Sequence, residues 1–397
     1  MLTEASSLDR EHGAPSGMNG PASPIGVTRV RLPGGGSTTL MRVMQTNACS
    51  LSCGYCPTYC GGKVRRTSLA PEEIATTFVE AHGRGLAQGL FLTSGVPGRP
   101  YRAMDRMLTT LEILRRRQGF RGYIHVKLLP GIERAQVEAA AALANRVSIN
   151  LEAPTDAYVR TLAREKDLSG DLLPTLELAG RLSLAARLEP RADGLRTAGT
   201  TTQFVVGAAG ERDQEILGLV ARLRGRRLLH HAHFSSFQPV VGTPMEGAPA
   251  TVPVRELRLY QAEHLLRQYG FRYNDLVFEP DGNLALERDP KTTWASRHPE
   301  TFPVEITSAA YEVLLRVPGI GPRAARALVT VRRAVVLRDV LDLRRLGVDT
   351  VRAAWFLALR GRRLAAGPAP EQLRLFAPGG HLTQAPHRTV VPPCAYR

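Results

Sequence analysis

The chain has 397 residues, 43% hydrophobic and 22% charged, with 52 Lys+Arg against 36 Asp+Glu and a formal net charge of +16. This is globular composition. Apolar runs such as 139–144 and 334–337 fall far short of the roughly 18–20 residues that span a bilayer, and residues 1–33 hold no signal-peptide core. No membrane association is expected, and a cytoplasmic location is. The charge suits a polyanion such as nucleic acid. However, only Lys63, Lys127, Lys166 and Lys291 are lysines, and Arg dominance in an Ala- and Gly-rich chain also follows from genome composition alone. Its distribution says more: segment 311–364 holds 12 Arg and 4 acids, net +8, half of the whole excess.

Residues 1–38 lack periodicity and contain Pro/Gly stretches, so a flexible N-terminal arm or a loosely attached strand is expected there. From residue 39, short apolar or β-branched runs alternate with Ala/Leu/Arg-rich stretches of helical period. Strands are predicted at 39–46, 89–94, 122–129, 146–152, 201–206 and 228–234. Helices are predicted at 71–84, 101–118, 134–144, 174–188, 211–224 and 254–269. The helix at 71 opens with Pro71, Glu72 and Glu73: proline fits a first turn, and carboxylates meet the positive end of the helix. Such β/α units imply an α/β fold, a parallel sheet curled into a partial (β/α)6 TIM-like barrel with ligands at the C-terminal strand ends. Residues 237–253 read as a Pro/Gly-rich loop and 278–283 as a turn. An all-helical pattern begins at 303. The expected domains are thus 1–38 (arm), 39–300 (barrel and linking segment), 301–365 (all-α) and 366–397 (disordered tail).

Five cysteines are too few for a disulfide scaffold, and four of them crowd at Cys49, Cys53, Cys56 and Cys60, which points to metal. The first three have C-x3-C-x2-C spacing directly after the first predicted strand. Thiolates on such a tight loop can bind three corners of a cubane. Zinc wants a fourth ligand, as do the usual ferredoxin runs, and Cys60 adds a spacing typical of neither. The economical alternative is a 4Fe-4S cluster with one iron left open.

This segment resembles the radical S-adenosylmethionine (SAM) superfamily: C-x3-C-x-aromatic-C, with Tyr55 as the aromatic, on the loop after the first strand of a βα barrel. The resemblance implies that Cys49, Cys53 and Cys56 hold three irons while the fourth chelates the amino and carboxylate groups of SAM. One-electron cleavage then yields a 5′-deoxyadenosyl radical that abstracts hydrogen from substrate. Cys60 is read as a loop thiol outside the ligand set. For the cofactor, Thr93-Ser94-Gly95 stands where the family has Gly-Gly-Glu, so carbonyls and hydroxyls would serve the methionine amine in place of the Glu. Asn150 and Glu152 alternate onto one strand face, where Glu152 would suit ribose hydroxyls or that amine; pairing of Glu152 with a nearby Arg is the other reading. Phe204-Val-Val-Gly207 with Glu211 partly matches Gly-x-Ile-x-Gly-x-x-Glu, with Gln203 for the first Gly, and Gly207 would allow close approach of adenine. His231 and His233 share one strand face and are read as structural.

At the C-terminus, Pro318-Gly319-Ile320-Gly321 separates two helical stretches, the second opening with Pro322. The N–H groups of Gly319 and Gly321, with the helix N-terminus, can cradle a phosphate, and Arg323, Arg326, Arg332 and Arg333 can reach its neighbours. This resembles the helix–hairpin–helix of DNA repair and recombination proteins, which grips the DNA backbone without reading sequence. The resemblance implies DNA-binding roles for Gly319, Ile320, Gly321, Arg323 and Arg326. Arg323 cannot form a Schiff base, which argues against glycosylase-type lyase chemistry. A degenerate second copy spans 340–359; Asp349 replaces its second glycine, so packing is expected there.

Cluster and hairpin together resemble the radical SAM proteins described as DNA modification or repair enzymes. Further likeness lies in Phe234-Ser-Ser-Phe-Gln-Pro239, Thr243-Pro244 and Asp289-Pro-Lys291 with Trp294. That resemblance implies DNA as the polymer, a uracil-DNA-glycosylase-like partner and an electron donor such as flavodoxin or ferredoxin. The alternatives are a cluster-bearing DNA-binding protein without radical chemistry and an RNA-modifying radical SAM enzyme.

Overall fold

Buried parallel strands alternating with amphipathic helices build the N-terminal part of the chain. The computed structural model describes residues 26–31, 37–189, 194–195 and 197–365. Two units divide between Leu284 and Ala285. The first contains, in chain order, β1 (Val27–Arg31), β2 (Ser37–Met44), α1 (Pro71–Gly83), β3 (Gly89–Thr93), α2 (Pro100–Glu112), β4 (Tyr123–Lys127), α3 (Arg134–Leu143) and β5 (Arg146–Ser148). There follow α4 (Asp156–Leu162), α5 (Leu173–Leu188), β6 (Gly199–Val206), α6 (Asp213–Gly225), β7 (His231–Ser236) and α7 (Pro253–Gln268). The strands form one seven-stranded sheet in the order β1-β2-β3-β4-β5-β6-β7. β2 to β7 are parallel and β1 runs antiparallel to β2. The sheet's six parallel strands and the helices between them are in keeping with the α/β fold expected.

Local chemistry accounts for these elements. All five residues of β3 (Gly-Leu-Phe-Leu-Thr) are buried, as a central parallel strand covered on both faces requires. In α2, Ala103, Met104, Met107, Leu108 and Leu111 are buried at helical spacing, forming the stripe that packs on the sheet. The helix runs into a π-type turn, Ile113–Arg117. There the buried Arg115 guanidinium donates to the carbonyls of Leu143, Phe120 and Gly122 and to Asn145 Oδ1, each at 2.8 Å, tying α2 to the loops around β4 and β5.

Val27–Arg31 is an edge strand, paired from Val27↔Met41 to Arg31↔Ser37, which agrees with the attached strand that was one of the two expectations there; residues 1–25 and 32–36 lie outside the described residues. Two other features depart from expectation. β5 ends at Ser148 rather than at 152. The short helix α4 and the π-type turn Leu168–Leu172 were not anticipated, because seven and five residues are too short for a period to register.

The second unit holds α8 (Pro290–Arg297), β8 (Val304–Glu305), α9 (Tyr311–Leu314), α10 (Pro322–Val331), α11 (Val340–Arg345), α12 (Thr350–Ala353), β9 (Leu357–Leu359) and β10 (Arg362–Arg363). It is therefore not all-α: β8 pairs parallel with β9, and β9 antiparallel with β10. These strands are shorter than any periodic window. What holds them is the Glu305 carboxylate, which accepts from Thr307 N (3.0 Å) and Oγ1 (2.6 Å), Arg360 N (3.1 Å) and Gly361 N (2.8 Å). Leu314, Val317, Ile320, Leu328, Leu343, Val348 and Leu357 are buried in its core. The expected tail, 366–397, lies outside the described residues. No helix among the described residues is long and apolar enough to cross a membrane.

Candidate active site

Residues 45–70, between β2 and α1, carry the cysteines in a loop with almost no regular structure, so side chains must satisfy its backbone. An isolated bridge, Thr46↔Ser68, closes its neck. Asn47 spans that neck, donating from Nδ2 to Arg65 O (2.8 Å) and accepting at Oδ1 from Thr67 N (2.7 Å). Arg66 organises the interior. Its guanidinium donates to the carbonyls of Asn47 (2.7 Å), Thr58 (2.9 Å), Tyr59 (2.6 Å) and Gly62 (3.1 Å). The sequence offers no local signal for that role, because one Arg among many in an Arg-rich chain looks like solvated surface.

The loop is also held from outside. Gly95 N donates to Thr46 O (2.7 Å) and Ser50 N to Val96 O (2.8 Å). Gly54 N donates to Leu162 O (2.8 Å), and both N and Oγ of Ser52 donate to Glu165 Oε2 (3.1 and 2.9 Å). The cysteine loop thus sits between the turn after β3 and the segment after α4. Gly95, expected at the cofactor amine, is instead required by packing: a Cβ there would lie 2.3 Å from Ala48 O. Only glycine allows the two backbones to pass so closely.

Cys53 is buried, Cys49 and Cys56 are half-buried, and Cys60 is exposed. Val96 N lies 3.5 Å from Cys49 Sγ, and Thr58 Oγ1 lies 3.1 Å from Cys56 Sγ. Burial pushes the Cys53 thiol up to about 11, with Lys166 working against it and Glu152, Cys56 and Cys49 adding to it; burial likewise raises Cys56. Thiols in such a setting ionise when a metal replaces the proton. Among the described residues no three His, Cys, Asp or Glu side chains converge tightly enough to hold one metal ion. Thiolates that each bind a different iron of a cubane stand farther apart than ligands of a single ion.

Beside the cysteines lies a buried ion pair that the sequence does not announce. Lys166 Nζ donates to Glu152 Oε1 at 2.7 Å, with side chains 9% and 1% exposed. Burial opposes charge on Lys166, but the Glu152 carboxylate and the Cys53 thiol hold its pKa above the ordinary lysine value. Glu152 has φ +65°, and Ala153 N donates to Leu151 O (2.7 Å), closing a γ-turn with Glu152 at its centre. Such a conformation is costly for a residue with a side chain and concentrates at functional sites. β5 ends before Asn150, but Glu152 still forms an isolated parallel bridge with Phe204 on β6. Thr202 Oγ1 fills the gap in the ladder, donating to Ile149 O (2.8 Å) and accepting from Leu151 N (3.1 Å). Glu152 pairs with Lys166 rather than with an Arg. Tyr55 lies close by, its phenol raised well above its ordinary value by burial and then by the Glu152 carboxylate.

Several buried polar atoms at the C-terminal strand ends make no hydrogen bond within the described structure: both amide atoms of Gln45 after β2, Ser94 Oγ after β3 and Glu152 Oε2 after β5. Thr93 is buried and its carbonyl accepts from Gln45 N (2.8 Å). Donors and acceptors left open at one end of the sheet fit a polar cofactor such as an amino-acid sulfonium nucleoside. Gln45 was missed from sequence. Gly207 has φ +88°, its N–H donates to Glu211, and a Cβ there would meet Thr251. Glu211, one position late against the expected pattern, accepts from both Gly207 and Ala209 N–H groups. His231 Nδ1 lies 3.3 Å from the buried Glu263 on α7, and its ring stacks against Tyr260 and meets His233 edge-on.

Residues 43–223 match the model of the Radical SAM superfamily. That segment is similar to the radical SAM superfamily, whose members use a 4Fe-4S cluster and SAM. Solved structures similar to the chain include methylornithine synthase (18% identity, TM-score 0.45, covering 57% of this chain and 61% of that one). A radical SAM methyltransferase from Sphaerobacter thermophilus is similar at 18% identity, TM-score 0.41, covering 61% and 74%. Coproporphyrinogen III oxidase from Escherichia coli is similar at 16% identity, TM-score 0.34, covering 57% and 50%. The chain spans 61% of the length of methylornithine synthase and 50% and 51% of that of two structures of an FeFe-hydrogenase maturase. No curated protein sequence matches it.

In the second unit, Gly319 takes φ +85°, which glycine alone adopts freely, and a Cβ there would meet Asp349 O at 2.5 Å. Gly321 is the N-cap of α10, and Arg323 and Arg326 are exposed. Among the described residues the N–H groups of Gly319 and Gly321 have no acceptor. Ile320 departs from expectation: its side chain is 1% exposed and belongs to the core, so it anchors the turn from within. Arg332 also departs, donating to Ile306 O at 2.7 Å within its own unit. The second copy packs on the first: Gly347 also has φ +85°, and Asp349 N donates to Gly319 O (3.0 Å).

Proposed function

We propose that this chain is a radical SAM enzyme that acts on DNA, modifying or repairing it, and that the turn 318–321 with α9 and α10 is a helix–hairpin–helix that grips the duplex backbone. One observation carries the reading: two free N–H groups, of Gly319 and Gly321, open at the N-terminus of α10 beside exposed Arg323 and Arg326. Backbone donors at a helix N-terminus favour phosphate over any base edge, so binding would be steeply salt-dependent and indifferent to sequence.

In the domain itself, Cys49, Cys53 and Cys56 would hold the cluster, and Lys166 would place a buried positive charge beside it. Gln45, Ser94 and Glu152 would take the polar groups of SAM. Held there, a cluster with SAM would supply radical hydrogen abstraction. A radical confined at the strand ends reaches only adjacent atoms, so a DNA target must be flipped out or single-stranded. Damaged or mismatched bases are extruded at least cost, which favours repair. A uracil-DNA-glycosylase-like partner and a flavodoxin- or ferredoxin-type electron donor complete the proposal.

The test is 5′-deoxyadenosine release by the reduced, cluster-loaded full chain with and without duplex DNA, with mass spectrometry of the nucleosides. Expected are stimulation by duplex and a mass change in one nucleoside, both lost in R323E/R326E. Stimulation by tRNA but not DNA would move the reading to RNA, and release unaffected by any nucleic acid would overturn it.

A further inference from the structure

Lysine is scarce here: four stand among 52 basic residues, and one of the four, Lys291, is 7% exposed. It lies in the first turn of α8, whose N-cap Asp289 accepts from Thr292 N (3.1 Å) and Thr292 Oγ1 (2.7 Å). Lys291 Nζ donates to the carbonyl of Ile320 at 2.6 Å. That carbonyl and the N–H of Gly321 belong to one peptide group. The buried ammonium thus sits on the inner end of the peptide whose outer end is one of the two free donors at the turn.

We propose that Lys291 is a positioning residue for phosphate at this turn, fixing the Ile320–Gly321 peptide with its N–H outward and polarising that N–H with its charge. The inference rests on the phosphate-binding reading of the hairpin and adds to it a residue 29 positions upstream of Ile320. Two physical effects act together. The bond to the carbonyl fixes the rotation of the peptide plane, which a turn containing two glycines would otherwise leave loose. A charged donor on C=O also draws electron density from the N–H, and hydrogen bonds in series strengthen one another in a low-dielectric interior.

The surroundings make the charge conditional. Burial depresses the Lys291 ammonium to about 7; Asp289 opposes this, and Arg352 and Arg316 add to it. Arg352 is itself tied to Asp289 Oδ2 at 2.6 Å, which spends much of that carboxylate's field. Arg316 lies over the Trp294 ring at 5.0 Å, and His298 stacks on the same ring at 4.3 Å. The ammonium form is present below the shifted pKa and lost as pH rises through it. The neutral amine still donates to Ile320 O. Raising the pH therefore removes the charge while leaving the strut in place, which separates the electrostatic role from a merely structural one.

The experiment is fluorescence anisotropy of the full chain with a labelled duplex at constant ionic strength, from pH 6 to 8.5. K291M and R323E/R326E are measured alongside, with circular dichroism melts as the folding control. Native affinity should fall by about fivefold to tenfold across that range, the effect of one charge-assisted hydrogen bond. K291M should bind more weakly at pH 6 and show a flat profile, which also removes His298 as the source. If K291M does not fold, the native profile and K291R, which keeps a charge that does not titrate, carry the test: K291R should be flat. A native profile without slope, or the same slope in K291M or K291R, overturns the inference while the loss of binding in R323E/R326E upholds the hairpin. If the native chain does not bind duplex, or R323E/R326E binds as well, the hairpin reading fails and this inference fails with it.

Discussion

Replacing Lys166 by Met keeps the length of the side chain and removes its charge, leaving Glu152 as a buried carboxylate without a counter-ion. With the pair 9% and 1% exposed and 2.7 Å apart, solvent screening is small. Breaking such a pair by removing one partner costs about 3–5 kcal/mol. The penalty belongs mostly to the stranded charge. K166M/E152Q, in which that charge is also gone, should therefore recover about 2 kcal/mol of the loss, a coupling within the usual range for contacting residues. Urea unfolding of the reduced, metal-free chain, followed by circular dichroism for native, both single and the double variants, measures the cycle. A K166M loss below about 1 kcal/mol is the value of an exposed pair. That result, or a double variant no more stable than K166M, would refute the reasoning. A cluster that still assembles normally in K166M would show in addition that the positive charge does not assist the thiolates.

Gly95→Ala should disturb the cysteine loop without touching a cysteine, since its Cβ would lie 2.3 Å from Ala48 O. We expect a loss of about 1–3 kcal/mol in unfolding free energy and reduced iron content after reconstitution. Cys49→Ala, Cys53→Ala and Cys56→Ala should each abolish the broad visible absorption of the reconstituted cluster and all 5′-deoxyadenosine release. Cys60→Ala should retain both, and full cluster loss from that change alone would place Cys60 among the ligands. Glu305 gives a pH test. Burial would raise its carboxyl, but hydrogen bonds from Thr307, Gly361 and Arg360 win and hold it near about 2. A lowered native pKa stabilises above the unfolded value and is lost as pH falls toward the native one. Glu305→Gln should thus flatten the fall of the urea midpoint between pH 5 and about 3; an unchanged slope would exclude this carboxylate as its source.

What sequence alone determined is whatever rests on short-range geometry. The C-x3-C-x-Tyr-C run placed three thiols on one loop because their spacing is covalent. The strands β2, β3, β4 and β6 and their helices were legible because burial of one helical face or of a whole parallel strand leaves a period in the chain. Gly319 and Gly321 could be read because a positive φ and a free N–H before a helix are properties of the local backbone. Tertiary structure decided the rest, and in each case the partner lies far off along the chain. Arg66 became the organiser of the cysteine loop only when the loop folded four carbonyls around it. β8 and β9 are two and three residues long and pair across some fifty positions, so no period could record them. Glu152 keeps an isolated bridge to Phe204 beyond the end of β5, and a γ-turn and Lys166, neither visible in the sequence pattern, determine its direction. One signal was available and unused. In a chain where nearly every basic residue is Arg, the two lysines at 166 and 291 are both buried, Lys166 with its ammonium on Glu152 Oε1 and Lys291 with its ammonium on Ile320 O. A slender stem ending in a compact charge fits such a place where a planar guanidinium with five donors does not. Rarity of a residue type thus marked the positions, but only the fold could say which oxygen each lysine reaches.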